Sequence, residues 1–510
     1  MDMPSKNMKN SRLILIVLIL CCCMPKMIVA AESSRNSHQV ESKWIQTIKD
    51  RSSDVQSMAG IGELGGFISY DQFWRLYSLL EDAYPGYVSK TQVIGKTYND
   101  ENILAFFIGN KESEEDRKDI VMFDALHHAR EFVTLTMIVK IMEYTVGGLV
   151  RQQSDILEFF KNNRILIVPI VNVDSFKLMS KEYGTKNWEI VQQIRKNQHL
   201  GNAKCDNNNK FPGVDINRNY GEHFGYGSMP QGSSNDVCDE EYRGAKAFSE
   251  PETRAIRYVI EKYDRIVSVM NFHAFGDLWI YPANFQRSGL HNILRKLNHQ
   301  LWKKYKIFQK IAPLSKEEKY GNAMKTINYT AQGEASDWMA LSKGLFAFSP
   351  ELGTGDEESK TFYPKSEVQK HIIHENFKIV QAFLKFHVPK LKIYHRGTNS
   401  VTVGLSSVFP LEDLQIHFDD EIPRDVLLNG QSVKDTLDEL GLQFGDRLKF
   451  VFDDQHIISP RFGQNWRKPT SRSHILRKFT LRMGRRASKT DAQGMLVTQF
   501  DIFDSLTTKV

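Results

Sequence analysis

The sequence has little excess charge, few cysteines, no internal repeats and, beyond its N-terminus, no segment that we expect to cross a membrane. A net charge of +6 over 510 residues is too dilute to indicate a nucleic-acid or membrane-surface partner. We therefore predict no nucleic-acid partner, and no stable membrane insertion once the N-terminal signal described below is removed. The chain is long enough for one large enzyme domain and an accessory domain, because single cores stop growing at roughly 250–300 residues.

The N-terminus has the composition of a secretory signal. Basic residues precede an apolar run from Leu13 to Met24 that is short for a membrane span, and the small residues Ala30 and Ala31 follow it. This order predicts a cleaved signal peptide at residues 1–31. The alternative is an uncleaved signal anchor. Pro25 argues against it because it breaks the apolar run. We expect a secreted protein or a protein of the lysosomal or vacuolar lumen.

Removal of this signal changes the cysteine count from odd to even. Cys21, Cys22 and Cys23 leave with the signal, so that only Cys205 and Cys238 remain. In an oxidising compartment the simplest outcome is one disulfide between them, and the alternative is two free buried thiols.

Apolar and helical segments alternate after residue 66. Continuous apolar runs bounded by polar loops predict four buried strands, at Ile120–Ala125, Ile165–Val173, Ile266–Phe272 and Leu345–Phe348. Helical segments lie between them, at Val133–Val146 and Glu252–Lys262. This alternation predicts an α/β fold in which helices cover both faces of a central sheet.

Two further segments flank the predicted α/β domain, which we place at residues 67–388. Residues 32–66 are polar and lack alternating apolar segments, which predicts a short leader before a helix capped by Ser69. Residues 389–510 contain short strand-like runs and a turn at Asn429-Gly430, which predict a small β-rich accessory domain. Its Arg- and Lys-rich tail is interpreted as a solvated extension, with binding to acidic surfaces as the alternative.

Side chains that can bind metal or accept protons follow three of the four predicted strands. His128 and Glu131 follow the first strand, His273 the third and Glu351 the fourth. Ligands of α/β sheets bind beyond the carboxyl ends of the strands, so we expect these residues to converge. A His and a Glu three residues apart, with a distant His, can bind zinc and leave a fourth position open. Spacing alone also allows His127 as the metal ligand in place of His128, because Glu131 lies four residues after it, one helical turn away.

The string His128-Ala129-Arg130-Glu131 resembles the zinc-binding motif of the metallocarboxypeptidase family that includes pancreatic carboxypeptidases A and B. By that resemblance one zinc ion per chain is bound by His128, Glu131 and His273, and His127 becomes a packing or neighbouring residue. The resemblance extends over about residues 67 to 388. It implies the mixed, mostly parallel central sheet of that family.

Further motifs follow in the order found in this family. The Arg-Lys-Asn string that begins at Arg195 resembles the segment whose arginine stabilises the oxyanion. Asn217 and Arg218 resemble the pair that binds the terminal carboxylate of the substrate, and the Pro-Glu-Leu string around Glu351 resembles that of the glutamate that activates water. The resemblance thus implies catalytic roles for Arg195 and Glu351 and substrate binding by Asn217 and Arg218.

The resemblance also covers the substrate pocket. Arg130 resembles a residue that assists substrate docking, and Tyr329 resembles the tyrosine that closes over the bound end. The alternatives are a structural salt bridge for Arg130 and a core aromatic residue for Tyr329. Cys205 and Cys238 fall at positions that resemble a disulfide of the pancreatic enzymes.

These features predict a zinc-dependent carboxypeptidase that releases single amino acids from the C-terminal ends of peptides and proteins. Arg218 and Asn217 can bind a terminal carboxylate, which would exclude internal peptide bonds. Other classes considered are a catalytically inactive binding protein with this fold and a zinc amidohydrolase of acyl-amino acids. The complete set of site residues argues against the first, and the Asn217-Arg218 pair with Tyr329 argues against the second.

The preferred C-terminal residue is predicted from the family position that distinguishes basic from apolar specificity. Ser336 occupies this position and is neither acidic nor aliphatic. We expect neutral or apolar ends. Broad or basic specificity is the alternative, because Glu334 lies two residues away and would attract a basic side chain if it faced the pocket.

Overall fold

The computed structural model describes residues 38–52, 57–109, 118–199, 205, 211–226, 232–285, 299–314 and 317–388, together with strand segments between residues 391 and 501. The predicted signal peptide and the predicted turn at Asn429-Gly430 lie outside the described residues, as does most of the Arg- and Lys-rich tail.

Nine strands form the central sheet: β1 (Gln92–Lys96), β2 (Asn102–Ile108), β3 (Asp119–Asp124), β4 (Asn163–Val168), β5 (Ile266–Asn271), β6 (His273–Ala274), β7 (Leu278–Ile280), β8 (Tyr320–Gly321) and β9 (Phe346–Leu352). Their order is β1-β2-β4-β3-β5-β9-β7-β8, and β6 pairs with β9. Pairing is parallel between β3 and β4, β3 and β5, β5 and β9, β6 and β9, and β7 and β8. The remaining pairs are antiparallel, so the prediction of a mixed, mostly parallel sheet is confirmed.

The described helices are α1 (residues 38–49), α2 (Tyr70–Ala83), α3 (Val133–Val150), α4 (Ser154–Asn162), α5 (Val173–Glu182), α6 (Trp188–Val191), α7 (Pro251–Lys262), α8 (His299–Ile311), α9 (Ala323–Thr326), α10 (Ala335–Asp337) and α11 (Ser366–Phe386). Every residue of β4, and all but one of β3, is buried, so side chains on both faces of the sheet are covered. The predicted α/β fold is confirmed. Helix α3 is long and apolar enough to cross a membrane, but nearly all of it is buried in this core.

Helix α2 begins where the sequence predicts. The hydroxyl of Ser69 accepts a hydrogen bond from the backbone N–H of Gln72 at 3.0 Å, which caps the first turn. Phe73, Leu76 and Leu80 then bury one face of the helix, as their spacing of three and four residues predicts.

Two of the predicted strands have different ends in the structure. The second ends at Val168, and the predicted extension to Val173 is wrong because Val173 begins helix α5. The fourth runs to Leu352, so Glu351 lies within β9 rather than after it. The residue register explains why Glu351 still reaches the same edge, since it pairs with His273 of β6.

The described part of the predicted leader packs against the domain that follows it. Helix α1 buries Trp44, Ile45 and Ile48 in the core. The buried carboxylate of Glu41 accepts hydrogen bonds from the Arg75 guanidinium at 2.9 and 3.2 Å. This segment therefore contributes core side chains and an ion pair to the α/β unit.

Beyond residue 388 the described segments are all strands. They are Leu391–Arg396, Ser400–Leu405, Leu414–Phe418, Asp425–Leu428, Gln431–Ser432, Arg447–Val451, Lys478–Met483 and Leu496–Asp501. They form a five-stranded and a three-stranded sheet, and their pairing is antiparallel. The predicted β-rich character is confirmed, and the domain boundaries at 66/67 and 388/389 stay predictions.

Candidate functional site

Neighbouring strands bring His128, Glu131 and His273 together. Asp124, at the end of β3, pairs with Asn271, at the end of β5, so the chain leaves both strands side by side. His128 lies four residues after the first of these positions and His273 two residues after the second. All three side chains are buried, and one ligand atom of each lies within 4.8 Å of those of the others.

The geometry of this cluster fits a zinc ion. The Nδ1 atoms of His128 and His273 are 3.1 Å apart, and the Glu131 carboxylate lies 2.7 Å from the first and 3.0 Å from the second. Two nitrogens bound to a tetrahedral zinc at about 2.0–2.1 Å would be separated by about 3.3 Å. The donor set is therefore close to the spacing that zinc requires.

The protonation states also suit a metal site. Burial lowers the pKa of His273 to about 4, which keeps its ring neutral and able to donate a lone pair. Burial opposes ionisation of Glu131, but the two imidazole rings outweigh it and hold the pKa of its carboxyl group well below the usual value. The cluster thus contains a neutral imidazole and a carboxylate, which are the forms that bind metal.

Asp215, for which the sequence alone predicts no role, orients His128. Its Oδ1 atom lies 3.1 Å from His128 Nε2, which places the ring proton on that nitrogen and leaves Nδ1 free to bind metal. Burial opposes ionisation of Asp215, but Arg195 and His128 hold its pKa well below the usual value. Asp215 belongs to the same string as Asn217 and Arg218, and it caps their turn by accepting a hydrogen bond from the Asn217 N–H.

Arg195 reaches the metal-ligand cluster. Its Nε and Nη2 atoms lie 2.9 and 2.8 Å from Oδ2 of Asp215, and its Nη1 atom is 3.3 Å from His128 Nδ1. Burial disfavours its charge, but the carboxylates of Asp215 and Glu131 raise the pKa of the guanidinium above its usual value. The structure therefore places a permanent positive charge beside the ligands.

Asn217 and Arg218 lie on a short turn of 3₁₀ helix, Ile216–Arg218, next to the cluster. The Asn217 amide nitrogen is 3.2 Å from His273 Nε2. Arg218 is 3% exposed and donates to the carbonyl of Asn217 and, at 2.9 Å, to the carboxylate of Glu241. Its Nε atom has no hydrogen-bond acceptor among the described residues. A buried guanidinium with an unused donor can bind a further carboxylate.

Glu351 and Tyr329 flank this arrangement. Glu351 lies beside His273 in the sheet, and burial, together with the charge of Glu131, raises its pKa well above the usual value. Tyr329 remains 47% exposed, and its hydroxyl is within electrostatic range of Arg218, Glu351 and Arg195. Burial of that hydroxyl raises the pKa of Tyr329.

The remaining predicted residues lie around this centre. Arg130 donates to the Gln193 carbonyl at 3.1 Å, forms an ion pair with Glu240 at 3.0 Å and stacks on the ring of Phe362. Ser336 is buried and donates to Glu334 at 2.7 Å. Its hydroxyl therefore points to the carboxylate of Glu334, the residue that would favour a basic C-terminal side chain in the alternative prediction.

The ring nitrogens of His127 contact residues outside the metal-ligand cluster. Its Nε2 atom is 2.7 Å from the Tyr220 hydroxyl, and its Nδ1 atom is 3.3 Å from a carboxylate oxygen of Asp124. The ring also packs against His273, with the centroids 5.8 Å apart. Of the two histidines that spacing left open, His128 is the one in the cluster.

The predicted disulfide is present. Cys205 and Cys238 are bonded, and their Cα atoms are 5.5 Å apart. The bond joins the segment after Arg195 to the segment that carries Glu240 and Glu241, the carboxylates that pair with Arg130 and Arg218.

Comparison with known proteins identifies the family. The zinc carboxypeptidase family profile matches residues 75–379. Metallocarboxypeptidase A of Trichophyton tonsurans is 28% identical over 232 residues, which is 44% of this chain and 50% of that protein. Human mast cell carboxypeptidase A is 26% identical over 292 residues, which is 55% of this chain and 63% of that protein.

A solved structure shares the fold. The crystal structure of carboxypeptidase A from Helicoverpa armigera superposes with a TM-score of 0.50 at 22% identity, and the match covers 69% of this chain and 80% of that chain. The chain spans about half the length of the first relatives it matches by sequence. The match to the family profile nevertheless extends over more than half of the 510 residues, and the chain belongs to the zinc carboxypeptidase family.

Proposed function

We propose that this protein is a zinc-dependent carboxypeptidase that hydrolyses the last peptide bond of peptides and proteins and releases single amino acids. The observation that carries the proposal is the adjacency of two sites. A buried cluster with the donors of a zinc site lies beside a buried arginine, one N–H donor of which has no acceptor among the described residues. The zinc-type cluster suits hydrolysis, and the buried arginine suits recognition of the C-terminal carboxylate.

His128, Glu131 and His273 would hold one zinc ion per chain, with Asp215 fixing the orientation of His128. When bound, zinc polarises the scissile carbonyl and lowers the pKa of a bound water. Three protein ligands leave a fourth position open, as catalytic zinc sites require.

Arg218 and Asn217 would bind the terminal carboxylate. The Nε–H of Arg218, which no acceptor within the described ranges contacts, is a charge-assisted donor in a buried position, where such hydrogen bonds are strong. An internal peptide bond has no carboxylate at this point and would leave the Nε–H of Arg218 without an acceptor from the substrate. Tyr329, exposed in the structure and close to Arg218, would cover the bound end.

Glu351 would accept the proton of the attacking water and pass it to the leaving amine. A carboxylate whose proton affinity is raised by burial and by a neighbouring carboxylate is a stronger base than an exposed one. Arg195, kept charged by Asp215, would stabilise the oxyanion that develops on the scissile carbonyl. Arg130, held by Glu240 and Phe362, would assist substrate docking.

The proposal also assigns the domains of the chain and the location in which the enzyme acts. We take residues 67–388 as the catalytic domain and 389–510 as an accessory domain with a basic tail. Residues 1–31 direct the protein into the secretory pathway, so that it acts outside the cell or in a lysosomal or vacuolar lumen. The disulfide between Cys205 and Cys238 supports an oxidising destination.

The test is a panel of three substrate types for the mature protein: blocked dipeptides with a free carboxylate, the same dipeptides as C-terminal amides, and acyl-amino acids. We expect release of the last residue from the free acids alone, loss of activity with a chelator, and recovery with zinc. Elemental analysis should give about one zinc per chain, lost in His273→Ala. Absence of chelator-sensitive release would contradict the proposal, and hydrolysis of the acyl-amino acids alone would favour an amidohydrolase.

A further inference from the structure

One buried carboxylate next to the site, that of Glu334, has no part in the proposed mechanism. It is 3% exposed and accepts four hydrogen bonds. The donors are the hydroxyl of Ser336 at 2.7 Å, the N–H of Asp337 at 2.9 Å, the side-chain amide of Asn284 at 3.3 Å and the hydroxyl of Ser349. Glu334 also forms the N-cap of the short helix α10.

These donors are all uncharged. Within the described part of the chain, Glu334 forms no ion pair with a lysine, arginine or histidine. Burial opposes its ionisation, but the hydrogen bonds from Ser349 and Ser336 outweigh it and hold the pKa of Glu334 below the usual value. Among the residues that the structure describes, Glu334 is therefore a buried anion without a cationic partner, and such a charge is costly until a cation approaches it.

The position of Glu334 is fixed from two sides of the substrate site. Ser349 and Glu351 are two residues apart on β9 and so lie on the same face of the strand. The backbone N–H of Ala335 donates to the side-chain oxygen of Asn217 at 3.0 Å. The Glu334 carboxylate thus lies between the strand of the proposed base and the turn that contacts the proposed carboxylate clamp, and its charge is felt at Glu351.

The two serine hydroxyls determine which groups can bind next to this carboxylate. A serine hydroxyl has one proton and two lone pairs. Ser336 and Ser349 each donate that proton to Glu334, so only lone pairs of their oxygens remain for a substrate. A group that contacts them must supply the hydrogen. Lysine and arginine side chains carry only donors and a positive charge, whereas an aliphatic end would leave these acceptors unpaired.

We propose that Glu334, acting through the hydroxyls of Ser336 and Ser349, determines specificity for a basic C-terminal residue. The proposal rests on the carboxypeptidase activity proposed above and selects, from the alternatives left by Ser336, the basic one. Glu334 is a positioning and charge-supplying residue, and the serines are the groups that touch the substrate side chain. A purely structural N-cap would make no distinction between a charged side chain and its uncharged analogue.

The test compares blocked dipeptides that differ only in the charge of the last side chain, lysine against norleucine and arginine against citrulline. For the wild-type protein we expect kcat/KM to be at least about tenfold higher for the charged member of each pair. In Glu334→Gln the ratio should fall to about one. The control is Glu261→Gln, which removes a surface carboxylate paired with Arg257 and Lys343 and should keep the ratio.

A second measurement needs no variant. Free lysine should inhibit the wild-type protein competitively at a concentration about tenfold lower than free norleucine does. Equal or better cleavage of norleucine by the wild type, or an unchanged ratio in folded Glu334→Gln, would overturn the specificity proposal while the carboxypeptidase activity stands. Failure to cleave any of these peptides would instead refute the activity itself.

Discussion

Replacing Arg218 with methionine tests the carboxylate clamp most directly. Arg218→Met keeps much of the side-chain volume of a buried residue and removes the positive charge and all five N–H donors. Two of those donors contact the carbonyl of Asn217 and the carboxylate of Glu241, and Nε–H is unused among the described residues. Glu241 is about one-third exposed, so water can solvate its carboxylate in the variant.

The expected loss follows from the donors that a substrate carboxylate would use. A bidentate contact consists of two charge-assisted hydrogen bonds, and each contributes about 1.5–3 kcal/mol. Their removal costs about 3–6 kcal/mol of transition-state binding, which corresponds to a loss of roughly 10²- to 10⁴-fold in kcat/KM. Substrates that lack the carboxylate should lose much less, because they never made the contact.

The assay measures kcat/KM for a blocked dipeptide and for its C-terminal amide in both proteins. The wild type should strongly prefer the free acid, and Arg218→Met should lose most of that preference. Zinc content and melting temperature should stay near the wild-type values, and the surface variant Arg257→Met serves as the matched control. The clamp would be refuted by an Arg218→Met protein that retains kcat/KM for the free acid within about tenfold of the wild type.

Three other predictions concern carboxylates. Glu351→Gln should lower kcat by roughly 10²- to 10⁴-fold with unchanged zinc content, since it cannot accept a proton; steady-state kinetics and elemental analysis check this. Glu241→Gln should lower KM for free-acid dipeptides severalfold by removing a competitor for Arg218, and an unchanged or higher KM would contradict this. Burial raises the pKa of Glu252 from 4.5 to about 8, so its contribution to stability is full below about pH 4.5 and is lost as pH rises through 8. Glu252→Gln should flatten the fall in melting temperature between about pH 5 and pH 9, and an equally steep fall would rule out Glu252 as its source.

The sheet could be predicted because its strands are buried on both faces. Such strands appear in the sequence as continuous apolar runs, and β3, β5 and β9 lie close to the predicted positions. The run that contains β4 shows the limit of this signal. Its apolar residues continue to Val173, but Val173 begins a helix. The change from strand to helix depends on contacts that local sequence does not encode, such as the hydrogen bond that the side chain of Asn172 donates to the carbonyl of His127, 45 residues away.

The polar average composition of the segment before residue 67 predicts a leader. Its apolar residues are few but fall on one face of α1, where Trp44, Ile45 and Ile48 enter the core. Glu41 is buried on the same helix and is paired with Arg75, 34 residues further on. A short amphipathic helix with a buried ion pair therefore has the same composition as an exposed leader, and composition alone does not distinguish the two.

The carboxylates of the site show most clearly what a single sequence leaves undetermined. Glu334 and Asp337 are three residues apart and both buried, yet their environments separate them. Hydrogen bonds outweigh the effect of burial at Glu334 and lower its pKa, whereas burial and the charge of Glu334 raise the pKa of Asp337 well above its usual value. Asp215 is ionised for a third reason, the adjacent Arg195 guanidinium. The sequence gives the type of each residue, but the charge of a carboxyl group depends on partners that only folding brings together. A specificity determinant such as Glu334 therefore cannot be distinguished from a neutral core carboxyl group until its hydrogen-bond donors are known.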